Sequence, residues 1–399
     1  MIRADVRSVD TSIRAVLRTP QVLRVLLGSQ IGRLPTASGP LALLLFARQS
    51  LSLAAAGLLV AAYTAGMAVG TPLLARAVDR WRQPPVLWAA AVVSGLGFGA
   101  VALTGGHLAG AVTGAVVAGF GTPPLEACLR TLWPALLPPA TVPTAYTLDI
   151  AVQEMIFVVG PLVTLLAVTV GGPAAGLLAA AVVQLTGTAM YALSPAARAW
   201  RGVAAVRHWA GPLRVPRFGV MMLGVVGVGA AVGSIAVAVT GYAEAAGDRR
   251  LSGWLLAAQA VGALVGGLCW TRVRPGGPGR LPLLAAALTA GFLPLLLAPG
   301  PVPMAGLLAV SGLALPPVLT AVFLTAERLA EAGTVAEAFA WVSTAFVVGS
   351  AAGSALAGVS AGLRYGLVVA PAAALLGTAV LVTVAARDRT AGLTASRGA

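Results

Sequence analysis

The sequence is poor in charged residues and contains no lysine at all. Of its 399 residues only 10% are charged, whereas 58% are hydrophobic. A water-soluble domain of this length has roughly 25% charged residues, and no soluble fold of this size could bury so much apolar surface. The scarcity of charge therefore excludes an ordinary soluble protein, and we expect lipid to be the solvent.

Cysteine, histidine and lysine are too scarce to build the common catalytic and metal sites. The two cysteines, Cys128 and Cys269, fall in apolar segments of different halves, so neither a disulfide nor a metal site is expected. Both histidines, His107 and His208, fall in predicted loops, which leaves no Ser/His/Asp set. Without lysine, a phosphate-binding Gly-x-x-x-x-Gly-Lys-Ser loop is impossible. We therefore expect neither an enzyme nor a bound cofactor.

Twelve apolar segments are long enough to cross a bilayer. A hydrocarbon core of about 30 Å needs about 20 apolar residues in a helix, whereas the strands of a membrane barrel are shorter and alternate in polarity. The predicted spans are residues 22–47, 53–75, 86–104, 108–136, 143–169, 172–193, 218–242, 251–271, 281–298, 302–325, 335–361 and 365–386. These segments predict an all-α integral membrane protein.

A polar connection at residues 194–217 divides the spans into two groups of six. It separates a first bundle at 22–193 from a second bundle at 218–386. The N-terminal segment, 1–21, lacks the apolar core of a cleavable signal peptide, and we expect it to be cytosolic. The tail at 387–399 is expected on the same side of the membrane.

The two halves resemble each other at a few positions. A shift of 193 residues places Pro123-Pro124 on Pro316-Pro317. Together with the division into six and six spans, such matches indicate a duplicated six-helix unit. Paired halves around a site near the bilayer midplane are a common plan of transporters.

The positions of the 26 arginines predict the orientation in the membrane. With the N-terminus in the cytosol, twenty arginines fall on the inner side and only four, Arg48, Arg249, Arg250 and Arg364, on the outer side. Basic residues favour the cytosolic side of membrane proteins. This bias predicts a multi-pass cell-membrane protein with both termini in the cytosol. It also accounts for the net charge of +14 without nucleic acid as a partner.

Two local motifs and the overall layout carry a family resemblance. Residues 75–82, after the second span, include Asp79-Arg80, and the fifth span contains Gly160-Pro161. The chain resembles the major facilitator superfamily, whose loop pattern at this place is Gly-x-Leu-x-Asp-Arg-x-Gly-Arg. Exporters of that family often carry Gly-x-x-x-Gly-Pro-x-x-Gly-Gly in the fifth span. The resemblance is architectural over almost the whole chain and local at these two motifs.

The resemblance implies a secondary transporter with two pseudo-symmetric six-helix bundles. It gives Asp79 the role of capping a neighbouring helix and, with Arg80, of locking one conformation; the alternative is a plain basic anchor at the membrane surface. Gly160-Pro161 would kink the fifth span and allow close helix approach. Both motifs are incomplete, and the loss of the other glycines around Gly160-Pro161 weakens an assignment as an antiporter without removing it. Ala115 stands where drug/proton antiporters of the family carry an arginine, so any proton coupling must use another residue.

Charged side chains inside a bilayer are costly and are therefore candidates for function. Five lie well inside predicted spans, all in the first half: Arg33, Glu126, Arg130, Asp149 and Glu154. Depth in the membrane, counted at ~1.5 Å per residue from the cytosolic ends of the spans, is similar for Arg130 and Asp149. Arg33, Glu126 and Glu154 lie together at a greater depth. We expect an Arg130–Asp149 pair and Arg33 between Glu126 and Glu154. Glu154 is the favoured proton site and Glu126 the next candidate, unless the cluster only fixes helix packing.

The second half offers an uncharged and partly aromatic surface as a possible substrate wall. Its candidate residues are Tyr242, Trp254, Gln259, Phe339 and Trp341, although any one of them could instead face lipid or pack between helices. The function expected is proton-coupled efflux of a small amphipathic solute by a monomer through alternating access. A nutrient or metabolite importer and a non-transporting sensor on the same scaffold are the alternatives.

Overall fold

The chain is helical throughout the ranges that its structure describes. The computed structural model describes residues 12–104, 107–202, 210–248, 251–271, 273, 280–360 and 366–397. Within these ranges there are helices, turns and short connections but no β-strand.

Twelve long helices in the described ranges, α1–α12, correspond to the twelve predicted spans. Three are interrupted: α1 (Val22–Arg33 and Pro35–Ala47), α4 (Leu108–Phe120 and Leu125–Leu136) and α10 (Pro301–Gly312 and Leu315–Leu329). The others are α2 (Leu53–Arg80), α3 (Gln83–Leu103), α5 (Val142–Gly171), α6 (Pro173–Ala192), α7 (Pro216–Ala245), α8 (Leu251–Trp270), α9 (Arg280–Phe292, continued by the 3-10 turn Leu293–Leu297), α11 (Val335–Val359) and α12 (Val369–Arg397).

Length and hydropathy support a membrane protein. In the described ranges nine helical stretches are long and apolar enough to cross a membrane. One of them, Val142–Ala192, contains both α5 and α6, which separate at Gly172 with a φ of 77°. Helix α1 adds a further span because its apolar run is divided at Leu34. Helix α12 adds another through its shorter apolar part, Val369–Thr383.

Several helices extend beyond their predicted apolar spans. Helix α2 runs to Arg80, and α12 runs to Arg397, through most of the segment 387–399 that was predicted as a tail. The predicted central connection contains two short helices, Pro195–Ala199 and the 3-10 turn Gly211–Arg214. Hydropathy marks only the part of a helix inside the hydrocarbon, whereas backbone hydrogen bonding continues into the polar layer.

The same helix pairs pack in both halves of the chain. In the first half, α1 packs against α6, α2 against α4, and α3 against α6. The corresponding pairs of the second half also pack together: α7 against α12, α8 against α10, and α9 against α12. Gly119 on α4 and Gly312 on α10 are 193 residues apart. A methyl group at Gly119 would overlap the carbonyl of Tyr63, and one at Gly312 would overlap that of Gln259. Small residues allow such close helix approach, and the repeated packing confirms two related six-helix bundles.

The two bundles meet through α2, α4 and α5 on one side and α8, α10 and α11 on the other. Helix α2 ends, and helices α5 and α11 begin, at the side of the molecule that carries the arginine-rich loops. We call this side the basic end; it is the side predicted to be cytosolic. The contacts between bundles described below lie near this end.

Candidate functional site

Four charged side chains form a closed ring inside the first bundle. The Asp149 carboxylate accepts hydrogen bonds from Arg33 Nη1 at 3.1 Å and from Arg130 Nε at 3.0 Å. The Glu126 carboxylate lies 3.3 Å from Arg33 Nη2 and accepts a hydrogen bond from Arg130 Nη1. Each arginine therefore contacts both carboxylates, and the ring has no net charge.

Helix interruptions position two members of this ring. Pro35 begins the second segment of α1, and Pro123-Pro124 precede the second segment of α4, because proline cannot continue the backbone hydrogen bonding of a helix. Arg33 thus lies in the last turn of one helix segment and Glu126 in the first turn of another. A cation at a helix C-terminus and an anion at a helix N-terminus are both favourable.

Burial differs around the ring. The side chains of Asp149 and Arg130 are 0% exposed, and Gln30 Nε2 donates a further hydrogen bond to Asp149 Oδ1 at 2.9 Å. Buried charges are tolerated when they are paired and hydrogen-bonded in this way. The side chain of Glu126, by contrast, is 22% exposed. Asp149 and Arg130 therefore form the enclosed side of the ring, and Glu126 lies on its accessible side.

The expected Arg130–Asp149 pair is present, but the predicted position of Glu154 was wrong. Arg33 lies between Glu126 and Asp149, and its further hydrogen bond goes to Gln153 rather than to Glu154. Asp149 and Gln153 are four residues apart and share a face of α5, whereas Glu154 lies about 100° further round the helix. Glu154 is half-buried and, among the described residues, has no hydrogen-bond or ion-pair partner.

A cavity of about 360 Å³ begins at the accessible side of the ring. On α11 its lining runs from Ala340 to Ser354, a length of about 21 Å at 1.5 Å per residue. It therefore extends away from the basic end, between α11 and helices of the first bundle. Apart from Arg33 and Glu126, its walls mix hydroxyl groups with apolar side chains, among them Thr36, Tyr63, Thr64, Met67, Thr122, Phe157, Ser343, Thr344, Phe346 and Val347.

The residues predicted as a substrate wall lie outside this cavity. Trp254 is 75% exposed on the surface of α8, and Tyr242 is buried and donates a hydrogen bond to the carbonyl of Pro299. Phe339 is fully buried, while Gln259 and Trp341 are half-buried. All five lie in the described ranges, and none lines the cavity. The direction in which these side chains point depends on helix rotation, which residue type does not determine.

Aromatic side chains pack between the charge ring and the basic end. The ring of Phe339 makes edge-to-face contacts with Tyr146 at 6.0 Å and Phe323 at 5.8 Å between centroids. Tyr146 donates a hydrogen bond to Glu327 Oε2 at 3.0 Å, joining α5 to α10. The guanidinium carbon of Arg130 lies 3.5 Å from the centre of the Phe323 ring, a cation–π contact. The charge ring of the first bundle thus contacts the second bundle directly through Phe323 of α10.

Asp79 caps the N-terminus of α11. Its two carboxylate oxygens accept hydrogen bonds from the backbone N–H groups of Ala336 at 3.2 Å and Glu337 at 2.8 Å. A carboxylate in this position satisfies free N–H groups and interacts favourably with the helix dipole. Arg76 Nε lies 3.9 Å from the Glu337 carboxylate. Arg80, in contrast, is exposed and its guanidinium lies 5.8 Å from the ring of Trp81.

Gly160 lies where α5 crosses the interruption in α1. A methyl group at Gly160 would come within 3.2 Å of the Leu34 carbonyl and of Ala37. Helix α5 continues through Pro161 to Gly171 without interruption. Gly160 thus supports the close helix approach that was expected of the Gly160-Pro161 pair.

Several residues of this site were missed from the sequence. Gln30 and Gln153 hold the ring, and Tyr146 and Glu327 join the bundles. The spacing along α5 could have identified one of them, because Tyr146 lies three residues before Asp149 and shares its helix face. In the described part of the chain, no three His, Cys, Asp or Glu side chains come together to hold a metal ion.

Comparison with known proteins rests on structure rather than on sequence. No protein-family profile matches the chain, and no curated protein sequence matches it. The structure does resemble solved transporters over nearly their full length.

Three of these structures illustrate the likeness. A bacterial homologue of the iron transporter ferroportin, in an outward-facing state, has a TM-score of 0.73 at 16% identity, covering 91% of this chain and 99% of that one. The E. coli fucose:proton symporter FucP has a TM-score of 0.68 at 14% identity, covering 92% of this chain and 99% of that one. The human organic anion transporter MFSD10 has a TM-score of 0.60 at 17% identity, covering 90% of this chain and 98% of that one.

FucP is a major facilitator superfamily transporter, and the likeness covers both bundles of this chain. At these identities it establishes the fold and confirms the predicted fold class of twelve membrane helices in two bundles. This chain has the fold of the major facilitator superfamily transporters.

Proposed function

We propose that the chain is a secondary transporter that moves a small amphipathic solute across a cell membrane by alternating access. The observation that carries the proposal is the cavity between the bundles, with the charge ring at its inner limit and closed contacts at the basic end. Ligand pockets are typically about 300–1,000 Å³ with a few polar groups in apolar walls, and this cavity fits that description. We place both termini in the cytosol and treat the monomer as the working unit.

The contacts that close the basic end suit a reversible change. Asp79 with α11, Tyr146 with Glu327, and the Thr147–Thr320 hydroxyl pair at 3.1 Å are separate small contacts between bundles. A net hydrogen bond contributes about 1 kcal/mol, so a few of them hold one state without making it permanent. Rocking of one bundle against the other would open this end and close the opposite one.

Glu154 is the residue that we propose as the proton site. Its carboxyl group is half-buried within α5 and, in the described part of the chain, lacks any partner that would keep it charged. Ala151, one helical turn earlier, packs against Gly267 of α8. Glu154 therefore lies on the face of α5 that approaches the second bundle. An ionisable group between moving bundles is suited to coupling a proton to their motion.

We propose efflux as the direction, on the strength of the exporter-like Gly160-Pro161 pair in α5. The test is solute flux into inverted membrane vesicles with an imposed pH gradient, using a mixture of drugs and metabolites. Wild-type protein should accumulate a solute only with the gradient. The Glu154→Gln variant should lose this dependence, whereas Glu331→Gln, an exposed carboxylate in the α10–α11 loop, should not.

Three other outcomes have distinct meanings. Flux that ignores the pH gradient in the wild type would remove the proton site but leave a facilitator. Flux in the opposite direction would indicate an importer. Absence of flux for every solute tested would contradict transport and favour a sensor on the same scaffold.

A further inference from the structure

We propose that the accessible edge of the charge ring, Arg33 with Glu126, binds the head group of a zwitterionic solute. Such a solute carries an ammonium and a carboxylate close together, as amino acids do. The inference names the substrate class of the cavity and rests on the transport function proposed above.

Two members of the charge ring face the cavity. Arg33 and Glu126 are the charged residues that line the cavity, whereas Asp149 and Arg130 are fully buried behind them. Arg33 to Glu126, at 3.3 Å, is also the longest ion pair of the ring, against 3.1 Å for Arg33–Asp149 and 3.0 Å for Arg130–Asp149. A solute that enters the cavity thus contacts one positive and one negative group, and the ion pair between these two groups is the longest in the ring.

Charge balance at the ring favours a zwitterion over a singly charged solute. A lone cation at Glu126 would also approach Arg33 and Arg130, which both pair with that carboxylate. A lone anion at Arg33 would likewise approach Glu126 and Asp149. In a site shielded from water such repulsion is stronger than in bulk solvent. A zwitterion places its ammonium at Glu126 and its carboxylate at Arg33, so that both gain a partner and the net charge stays at zero.

The cavity wall also carries a buried hydroxyl group. Thr344 is 9% exposed and lines the cavity, and within the described part of the chain its Oγ1 has no hydrogen-bond partner. Buried polar groups are nearly always hydrogen-bonded, so this hydroxyl points to a bound molecule. Met67, Phe157 and Phe346 supply apolar surface for the remainder of the solute.

The proposal can be tested with four small ligands that share a phenylethyl group and differ in their head groups, and hence in charge. They are phenylalanine, a zwitterion; 2-phenylethylamine, a cation; 3-phenylpropanoate, an anion; and 3-phenylpropanamide, which is neutral. Binding to the purified wild-type protein is measured by titration calorimetry at pH 7. We expect phenylalanine to bind at least about tenfold tighter than each of the others. Equal binding, tighter binding of a singly charged ligand, or no binding of phenylalanine would overturn the proposal.

Two variants should change the ligand preference in opposite directions. Glu126→Gln leaves the ring with one surplus positive charge and should make 3-phenylpropanoate the preferred ligand. Arg33→Gln leaves a surplus negative charge and should make 2-phenylethylamine the preferred ligand. Glu331→Gln, exposed and remote from the cavity, should keep the wild-type order. An unfolded variant cannot produce reciprocal preferences, and if neither variant folds, the wild-type series still decides.

Flux in proteoliposomes separates this proposal from the transport function. Phenylalanine binding without flux of any solute would leave the zwitterion site intact and contradict transport. Flux of an uncharged solute, with no preference for phenylalanine in the binding series, would contradict the zwitterion site and leave transport intact.

Discussion

The backbone N–H of Glu337 donates a hydrogen bond of 2.8 Å to the carboxylate of Asp79, which lies 258 residues earlier in the chain. One residue belongs to the end of α2 and the other to the first turn of α11, so this bond joins the two bundles. Asp79 is 3% exposed, and water competes little for the bond. The Asp79 carboxylate is therefore one of the contacts that hold the basic end closed.

Replacing Asp79 by alanine should favour opening of the basic end. Loss of a helix N-cap costs about 1 kcal/mol, which is roughly a fivefold change in the ratio of closed to open molecules. Arg80→Gln is the matched control, because Arg80 is exposed beside Trp81. An equal effect of the two variants would contradict a specific role of the Asp79 cap in the closed state.

The measurement is a distance distribution between spin labels at the basic end. Ala140→Cys and Ala332→Cys place labels at exposed positions in the α4–α5 and α10–α11 loops. The native cysteines, Cys128 and Cys269, are free and are removed first. A longer distance population should grow in the Asp79→Ala protein.

Tyr146→Phe should act in the same direction and should hardly change folding. The substitution removes the 3.0 Å bond to Glu327 but keeps the ring packed against Phe339. Tyr191→Phe is its control, because Tyr191 donates a bond of equal length to Gln83 inside the first bundle. We expect the loss of either hydrogen bond to destabilise the conformation that contains it by about 1 kcal/mol. Only Tyr146→Phe should lengthen the spin-label distance, and a shift in both would contradict a specific role of Tyr146.

Sequence reasoning was most successful where a single physical quantity decides the answer. Helix length and hydropathy located the twelve spans, and depth along two neighbouring helices paired Arg130 with Asp149. The rotation of each helix about its own axis could not be predicted from the sequence, because the packing of the whole bundle determines it. That is why Glu154 was expected beside Arg33, where the structure places Asp149 and Gln153.

The interrupted helices show a second limit. Pro123-Pro124 were recognised as a repeat signal, yet the break in α4 that they produce was not used to place Glu126 at a helix N-terminus. The bond between Tyr146 and Glu327 spans 181 residues, and no local pattern in a single sequence indicates such a contact. The aromatic wall failed for a related reason, since residue type alone does not distinguish a cavity from lipid.

Gly312→Ala should destabilise the second bundle. A methyl group there would overlap the carbonyl of Gln259, where α10 crosses α8. Overpacking of this kind costs about 1–3 kcal/mol. Gly306→Ala lies in the same helix segment, and no atom of the described residues lies within 4 Å of its new methyl group, so this variant should be neutral or slightly stabilising. The measurement is the midpoint of thermal unfolding of the two detergent-purified variants. Equal midpoints would contradict the close crossing of α10 over α8.

Gly211→Ala should loosen the contact between the central connection and α11. Gly211 has a φ of 51°, which disfavours a side chain, and a methyl group there would overlap the Glu337 carboxylate. We expect a loss of about 1–2 kcal/mol in the free energy of unfolding. Gly219→Ala, near the start of α7 with open space around it, is the control. Unchanged stability of Gly211→Ala would show that this contact is dispensable.

Tyr146, Asp149 and Gln153 follow one another at spacings of three and four residues along α5. They therefore lie on one face of this helix, within about 10.5 Å of its length. Tyr146 contacts the second bundle, Asp149 binds the guanidinium groups of Arg33 and Arg130, and Gln153 lines the cavity. A rotation of α5 about its long axis would displace all three side chains together. Such a rotation would couple the cavity lining directly to the contact between the bundles.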